Sequence, residues 1–142
     1  MGNAILLVED NAADVKLTLR VFERSNLQNA IVVVRDGVEA LDYLLAEDRA
    51  PVPNELPALM LLDLALPKVS GVEVLRRVRA DERTKHLPIV ILTASKEQED
   101  IVIGYALGAN AYVRKPVEFT AFVEAAQTLG LFWLLMNDPA LH

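Results

Sequence analysis

Leu59-Met60-Leu61-Leu62-Asp63 is an unbroken apolar run that ends in a carboxylate. Such a run is typical of a strand buried on both faces, as the strands of a parallel sheet are. A second run, Ile5-Leu6-Leu7-Val8, ends in the same way in Glu9-Asp10, and further runs follow at 31–34, 89–92 and 111–113. Helical stretches separate these runs, and this alternation predicts an α/β protein whose five-stranded parallel sheet carries helices on both faces.

The helical interpretation is less direct for the first crossover. Its apolar residues alternate at every second position, as in a strand, but Val15, Leu19 and Phe22 also fit helical spacing. Because parallel strands need a connection of this length, we interpret the segment as a helix that Asn11 or Asp14 can cap. In the second crossover, helical spacing places Val38, Leu41, Leu44 and Leu45 on one predicted face.

Length and composition limit the function classes. The 142 residues predict a single domain over 1–142, with a core at about 4–129 and an apolar C-terminal extension at 130–142. No apolar segment reaches the roughly 18–20 residues that span a bilayer, and no signal-peptide pattern is visible. The chain has no cysteine and a net charge of −6, which argues against disulfides and against a nucleic-acid surface. We therefore expect a cytoplasmic protein without membrane or nucleic-acid partners.

Residues able to do chemistry follow the carboxyl ends of the predicted strands, where open parallel sheets bind their ligands. Glu9, Asp10 and Asp63 would bring three carboxylates together, which resist joint ionisation without a cation, so we predict a hard divalent metal. The hydroxyl of Thr93 and the ammonium of Lys115 would then suit an anion with several oxygens, most commonly a phosphoryl group. Asp63 would be the nucleophile.

Several short motifs together resemble the receiver domain of two-component response regulators. They occur in the family's order and spacing over nearly the whole chain: Glu9-Asp10, Asp63 with Leu66-Pro67 and Gly71, Thr93-Ala94, and Lys115-Pro116. This resemblance implies a doubly wound, flavodoxin-like sheet with strand order 2-1-3-4-5. The proline-rich loop at 50–57 and Phe132-Trp133 in the tail further resemble single-domain regulators that partner bacterial and cyanobacterial phytochrome histidine kinases.

The resemblance also implies a function. Asp63 would accept a phosphoryl group from a sensor histidine kinase, and the protein would be a signalling domain that catalyses only this transfer and slow autodephosphorylation. Mg²⁺ or Mn²⁺ would be the cofactor, bound by Asp10 and Asp63, by Glu9 through water, and by the backbone carbonyl of Ala65. A polar residue is frequent at the position of Ala65, so the lifetime of the phosphoryl group is open.

Three further features are implied by the same resemblance. The peptide bond between Lys115 and Pro116 would be cis. Tyr112 would be the aromatic switch that turns inward when Thr93 moves toward the phosphoryl group, although a plain core or edge aromatic is the alternative. This movement would bias the face formed by the fourth helix, the fifth strand and the fifth helix.

Apolar surface points to self-association. The segment 101–107 is apolar almost all round a predicted fourth helix, and a helical stripe after residue 118 continues into the apolar tail. Exposed apolar area of this size marks an interface, so we predict a symmetric homodimer. The alternative is a tail that folds back on its own domain. The predicted interface residues are Ile103, Tyr105, Leu107, Phe119, Phe132 and Trp133.

Other functions fit less well. A haloacid-dehalogenase-type phosphohydrolase needs a second aspartate where Ala65 stands, and the Glu9-Asp10-Asn11 loop would repel the phosphate of a flavin nucleotide. A receiver that takes no phosphate and acts only as an interaction module is the remaining alternative.

Overall fold

The computed structural model describes residues 4–24, 29–45, 56–94 and 108–130. Its strands form one parallel sheet in the order β2-β1-β3-β4-β5, which confirms the predicted fold class. The strands are β1 (Ile5–Val8), β2 (Ile31–Val34), β3 (Leu59–Asp63), β4 (Ile89–Thr93) and β5 (Ala111–Arg114). The helices in the described ranges are α1 (Ala12–Arg24), α2 (Gly37–Leu45), α3 (Gly71–Ala80) and α4 (Phe119–Thr128). The helix predicted at 101–107 lies outside the described residues.

The first crossover is a helix, and its start settles which residue caps it. The Asn11 side-chain Oδ1 accepts a hydrogen bond from the Asp14 backbone N at 3.0 Å, so Asn11 is the cap. The buried stripe of α1 consists of Val15, Thr18 and Phe22. The helical spacing of the apolar residues, rather than their alternation, therefore predicts the secondary structure of this segment correctly, because one face of the helix packs on the sheet.

Two apolar layers cover the sheet, one on each face. On one face α1 and α4 pack on alternate strand residues, and the rings of Phe22 and Phe122 meet edge to face with centroids 4.8 Å apart. On the other face α2 and α3 pack on the intervening residues. Every residue of β1, β3 and β4 is buried, which is why these strands read as unbroken apolar runs.

One part of the helical interpretation was wrong. Val38 was expected on the buried face of α2 but is 39% exposed. The buried residues of α2 are Gly37, Ala40, Leu41 and Leu44, a stripe that turns Val38 about 100° away from the sheet. Small residues carry part of this buried face, and a pattern search for large apolar residues overlooks them.

None of the helices within the described ranges has the length and apolar character needed to cross a bilayer.

Candidate functional site

The register of the parallel strands gathers the candidate residues at one edge of the sheet. Val8 pairs with Leu62 and Thr93 pairs with Arg114, so each chain segment leaves the sheet at nearly the same level. Glu9, Asp63 and Lys115 therefore meet although they lie far apart in the sequence. The sheet edge beyond β1, β3, β4 and β5 is the candidate site.

Three carboxylates meet there as predicted from the strand ends. Glu9, Asp10 and Asp63 each offer one oxygen, and these oxygens lie within 4.8 Å of one another. Glu9 and Asp63 are buried, whereas Asp10 is exposed. Burial, together with the hydrogen bond and the charge of Asp63, raises the pKa of Glu9 to about 7. Carboxylate oxygens whose like charges repel one another fit a hard divalent cation such as Mg²⁺ or Mn²⁺.

Lys115 contacts two of these carboxylates and also that of Asp14. Its Nζ lies 3.0 Å from Glu9 Oε1, 3.0 Å from Asp14 Oδ2 and 3.4 Å from Asp63 Oδ2. Burial works to lower the pKa of Lys115, but the hydrogen bonds to Asp14 and Glu9 and the neighbouring negative charges outweigh it and raise the pKa. The side chain is therefore a fixed ammonium at the site.

Asp14 is the site residue that sequence reasoning missed, because it was considered only as a helix cap. The position of Asp14 in the sequence could have indicated its place at the site. Since α1 begins directly after the loop that follows β1, its first turn lies at the same sheet edge as Glu9. An acid in that turn can therefore reach a lysine that follows β5.

Thr93 ends β4 with a buried hydroxyl. The residue is 1% exposed, and its Oγ1 has no hydrogen-bond partner within the described residues. Its backbone carbonyl, in contrast, accepts a hydrogen bond from Lys115 N at 2.8 Å. A buried hydroxyl without a partner costs roughly 1–3 kcal/mol. Such an atom at a cluster of charged groups is what a site for an oxygen-rich ligand requires.

The loop after β3 shapes the surroundings of Asp63. Asp63 Oδ1 accepts a hydrogen bond from the backbone N of Ala65 at 3.2 Å, and Ala65 itself is exposed. Gly71 packs so closely on the end of β3 that an added Cβ would collide with the Asp63 carbonyl oxygen and lie 2.6 Å from Leu64 Cα. Only glycine lets α3 start this close to the candidate nucleophile.

The remaining predicted residues are distributed as follows. The Lys115–Pro116 peptide bond is cis, the form that the resemblance implies. Tyr112 is half-buried on β5 and packs against the α2–α3 layer of the core. Phe119 starts α4 and is 45% exposed. The other predicted interface residues, Ile103, Tyr105, Leu107, Phe132 and Trp133, lie outside the described residues.

Comparison with known proteins identifies the family to which this site belongs. The family model for the response regulator receiver domain matches residues 5–127. The chain belongs to the response regulator receiver family. It is 40% identical over 133 residues to the probable methanogenesis regulatory protein FilR2 of Methanothrix harundinacea, covering 94% of this chain and 84% of FilR2. It is 35% identical over 133 residues to response regulator Rcp1 of Synechocystis sp., covering 92% of this chain and 88% of Rcp1.

Solved receiver structures resemble the whole described fold. The bacteriophytochrome response regulator RtBRR is 52% identical, with a TM-score of 0.86 over 98% of this chain and 84% of RtBRR. The phosphorylated cyanobacterial phytochrome response regulator RcpA is 36% identical, with a TM-score of 0.70 over 94% of this chain and 95% of RcpA. Mn²⁺-bound Rcp1 is 34% identical, with a TM-score of 0.70 over 96% of this chain and 97% of Rcp1. The predicted likeness to phytochrome response regulators is confirmed.

Proposed function

We propose that Asp63 accepts a phosphoryl group from a sensor histidine kinase in a reaction that depends on Mg²⁺ or Mn²⁺. The observation that carries this proposal is the position of Lys115 Nζ, which bridges two buried carboxylates, Glu9 and Asp63. At the same edge the Thr93 hydroxyl has no hydrogen-bond partner among the described residues. An ammonium and a free hydroxyl beside a buried carboxylate suit the oxygens of a phosphoryl group better than any neutral ligand.

The transfer forms one bond and breaks another. An Asp63 carboxylate oxygen bonds to phosphorus while the P–N bond to the kinase histidine breaks, and the imidazole leaves with the electron pair. Acetyl phosphate can replace the kinase, in which case a P–O bond breaks and acetate leaves. Lys115 would offset charge on the phosphoryl oxygens, and Thr93 would donate a hydrogen bond to one of them. Positioning and electrostatics supply most of the catalysis in such transfers.

A divalent cation would be held by the acidic cluster. Asp10 and Asp63 would bind it directly, Glu9 through water, and Ala65 through its backbone carbonyl. When bound, the cation supplies positive charge against the developing charge on the phosphoryl oxygens. The donor set and the raised pKa of Glu9 support this assignment, as do the Mn²⁺-bound form of Rcp1 and the phosphorylated form of RcpA.

Phosphorylation would change the surface formed by the helix predicted at 101–107, by β5 and by α4, as the resemblance implies. Tyr112 pairs with Ile91, two positions before Thr93, so Tyr112 and Thr93 project from the same face of the sheet. We propose that Thr93 moves to the phosphoryl group and that Tyr112 turns into the space that it leaves. The switch thereby couples Asp63 to β5 and α4.

The kinase, the self-association and the cellular location complete the proposal. The likeness to RtBRR and RcpA supports a phytochrome-type histidine kinase as the partner. The exposed Phe119 supports a homodimer through β5, α4 and the residues predicted at 103–107 and 132–133. A cytoplasmic location without nucleic-acid or membrane partners stays a prediction, as does the single-domain organisation.

Intact mass spectrometry tests the phosphoacceptor. Incubation with acetyl phosphate and Mg²⁺ should add one phosphoryl mass to the wild type and to Asp42→Asn, a control at an exposed acid of α2, but none to Asp63→Asn. If the wild type gains no mass with acetyl phosphate or with a phosphorylated histidine kinase, the chain is an interaction module. If Asp63→Asn gains the same mass, another residue is the acceptor.

Sedimentation velocity at micromolar concentration tests the dimer before and after phosphorylation. Phe119→Ser should weaken a dimer, whereas Val38→Ser, an equally exposed apolar position on the opposite face of the sheet, should not. A monomer under both conditions contradicts the homodimer.

The lifetime of the phosphoryl group is tested separately. Ala65→Asn should change the autodephosphorylation rate but still allow phosphorylation. Equal decay of the phosphorylated wild type and variant would show that this position has no influence.

A further inference from the structure

Asp14 contacts the site without belonging to the carboxylate cluster that could hold a metal. Its Oδ2 lies 3.0 Å from Lys115 Nζ, as close as Glu9 Oε1 and closer than Asp63 Oδ2 at 3.4 Å. The Asp14 side chain is 26% exposed, and it forms an ion pair with the lysine. The contact joins residues that are 101 positions apart in the chain.

The stereochemistry of an ammonium explains what this contact can do. Lys115 Nζ has three N–H groups in a tetrahedral arrangement and no acceptor capacity. Its partners are three carboxylate oxygens, one each from Glu9, Asp14 and Asp63, so all three N–H groups are occupied. Two short bonds on one side fix rotation about the Cε–Nζ bond, and the third N–H then points toward Asp63.

The backbone around Asp14 keeps its carboxylate in place. Asp14 lies in the first turn of α1, and its backbone N is bonded to the cap Asn11. The next residue, Val15, is buried in the core and fixes the helix against the sheet. The Asp14 carboxylate is thus a firm anchor rather than a mobile surface charge.

We propose that Asp14 is a positioning residue that, together with Glu9, holds the ammonium of Lys115 so that its remaining N–H is directed at the phosphoryl group on Asp63. The proposal rests on the proposed phosphoacceptor function. On phosphorylation the longest and weakest of the three bonds, that to Asp63, is exchanged for one to a phosphoryl oxygen, and the two short bonds stay. Without Asp14 the lysine loses one of its two anchors, and its terminal group can rotate or swing toward Glu9.

The test measures phosphorylation by acetyl phosphate at saturating Mg²⁺, so that changes in metal affinity do not alter the rate. Asp14→Ala should slow phosphorylation about five- to tenfold, a fraction of the roughly 10²–10³-fold loss typical when a preorganised donor is removed entirely. Asp14→Asn keeps an oxygen acceptor without the charge and should recover most of the rate. Glu23→Ala, an exposed acid at the far end of α1, is the matched control and should behave as the wild type.

A double-mutant cycle with Lys115→Ala separates positioning from a structural role. Asp14→Ala should cause no further slowing in the Lys115→Ala background, because the lysine through which it acts is gone. Equal slowing in both backgrounds, or a wild-type rate for Asp14→Ala, overturns the proposal. Thermal unfolding of each variant shows the folded fraction to which rates are normalised. If the wild type itself is not phosphorylated, the phosphoacceptor function fails instead, and the two failures are therefore distinguishable.

Discussion

Replacing Thr93 by valine should make the unphosphorylated protein more stable. The Thr93 hydroxyl is buried and has no hydrogen-bond partner in the described part of the chain, so the folded state loses the hydration that the unfolded chain retains. Valine has nearly the same shape and places a methyl group where the hydroxyl was. The buried-hydroxyl penalty of roughly 1–3 kcal/mol should therefore be partly recovered, giving a gain of about 1–2 kcal/mol, or roughly 3–6 °C in Tm.

Thr84 provides the control because it is a second buried threonine whose hydroxyl has a partner. It is as deeply buried as Thr93, at 1% exposure, but its Oγ1 donates a hydrogen bond to the Val78 carbonyl at 2.7 Å. Thr84→Val removes a satisfied bond and should lower the free energy of unfolding by about 1–2 kcal/mol. The same substitution should thus change stability in opposite directions at two equally buried threonines, one in a turn with a partner for its hydroxyl and one at a strand end without a partner among the described residues.

Urea unfolding in EDTA measures both effects, and acetyl phosphate measures the functional cost. Thr93→Val should lose about tenfold or more in phosphorylation rate, because it cannot donate to a phosphoryl oxygen. Thr84→Val should be phosphorylated normally when folded. A Thr93→Val protein that is less stable than the wild type by more than 1 kcal/mol would refute the reasoning, since it would mean that the hydroxyl already has a partner in the resting state.

Three further predictions concern Glu9, Gly71 and Arg79. The pKa of Glu9 is raised from 4.5 to about 7, so the metal-free protein should lose stability as pH rises through this window, because the unfolded chain gives up the Glu9 proton first. The Mg²⁺ affinity measured by calorimetry should increase over the same window, because a metal ligand must be deprotonated. Equal affinity at pH 6 and pH 8 would contradict this. Gly71→Ala should destabilise the protein more than Gly130→Ala, because the new Cβ at position 71 would lie 2.6 Å from a backbone Cα just beyond β3. At Gly130 the positive φ of +72° is the one source of strain, since nothing lies within 4 Å of an added Cβ. Urea midpoints in the reverse order would exclude the clash. The Arg79 guanidinium donates four hydrogen bonds that join α3 to the segments before β4 and β5. In urea unfolding, Arg79→Lys should therefore lower the free energy of unfolding by about 1–3 kcal/mol, whereas Arg77→Lys, at an exposed position, should hardly change it. Equal stability of the two variants would show that the bonds contribute nothing.

The prediction of the sheet succeeded where the sequence signal was local. β3 lies between β1 and β4 and is covered on both faces, so its side chains before the carboxyl end had to be apolar, and Leu59 to Leu62 show this without any partner being known. The prediction of α2 was weaker because Gly37 and Ala40 carry much of its buried face. Small residues bury well but contribute little to an apolar pattern.

The amino-acid sequence alone determined the fold class, the strand ends and the acids, hydroxyl and lysine that follow them, because parallel strands place their carboxyl ends at one edge whatever the details of packing. Only the tertiary structure decided that Asp14 joins the site, that Thr93 Oγ1 lacks a partner within the described ranges and that Gly71 touches the backbone after β3. These are distances of a few ångströms between segments remote in the chain. They are set by how α1, α3 and β5 dock on the sheet, and a residue pattern carries no information about that docking.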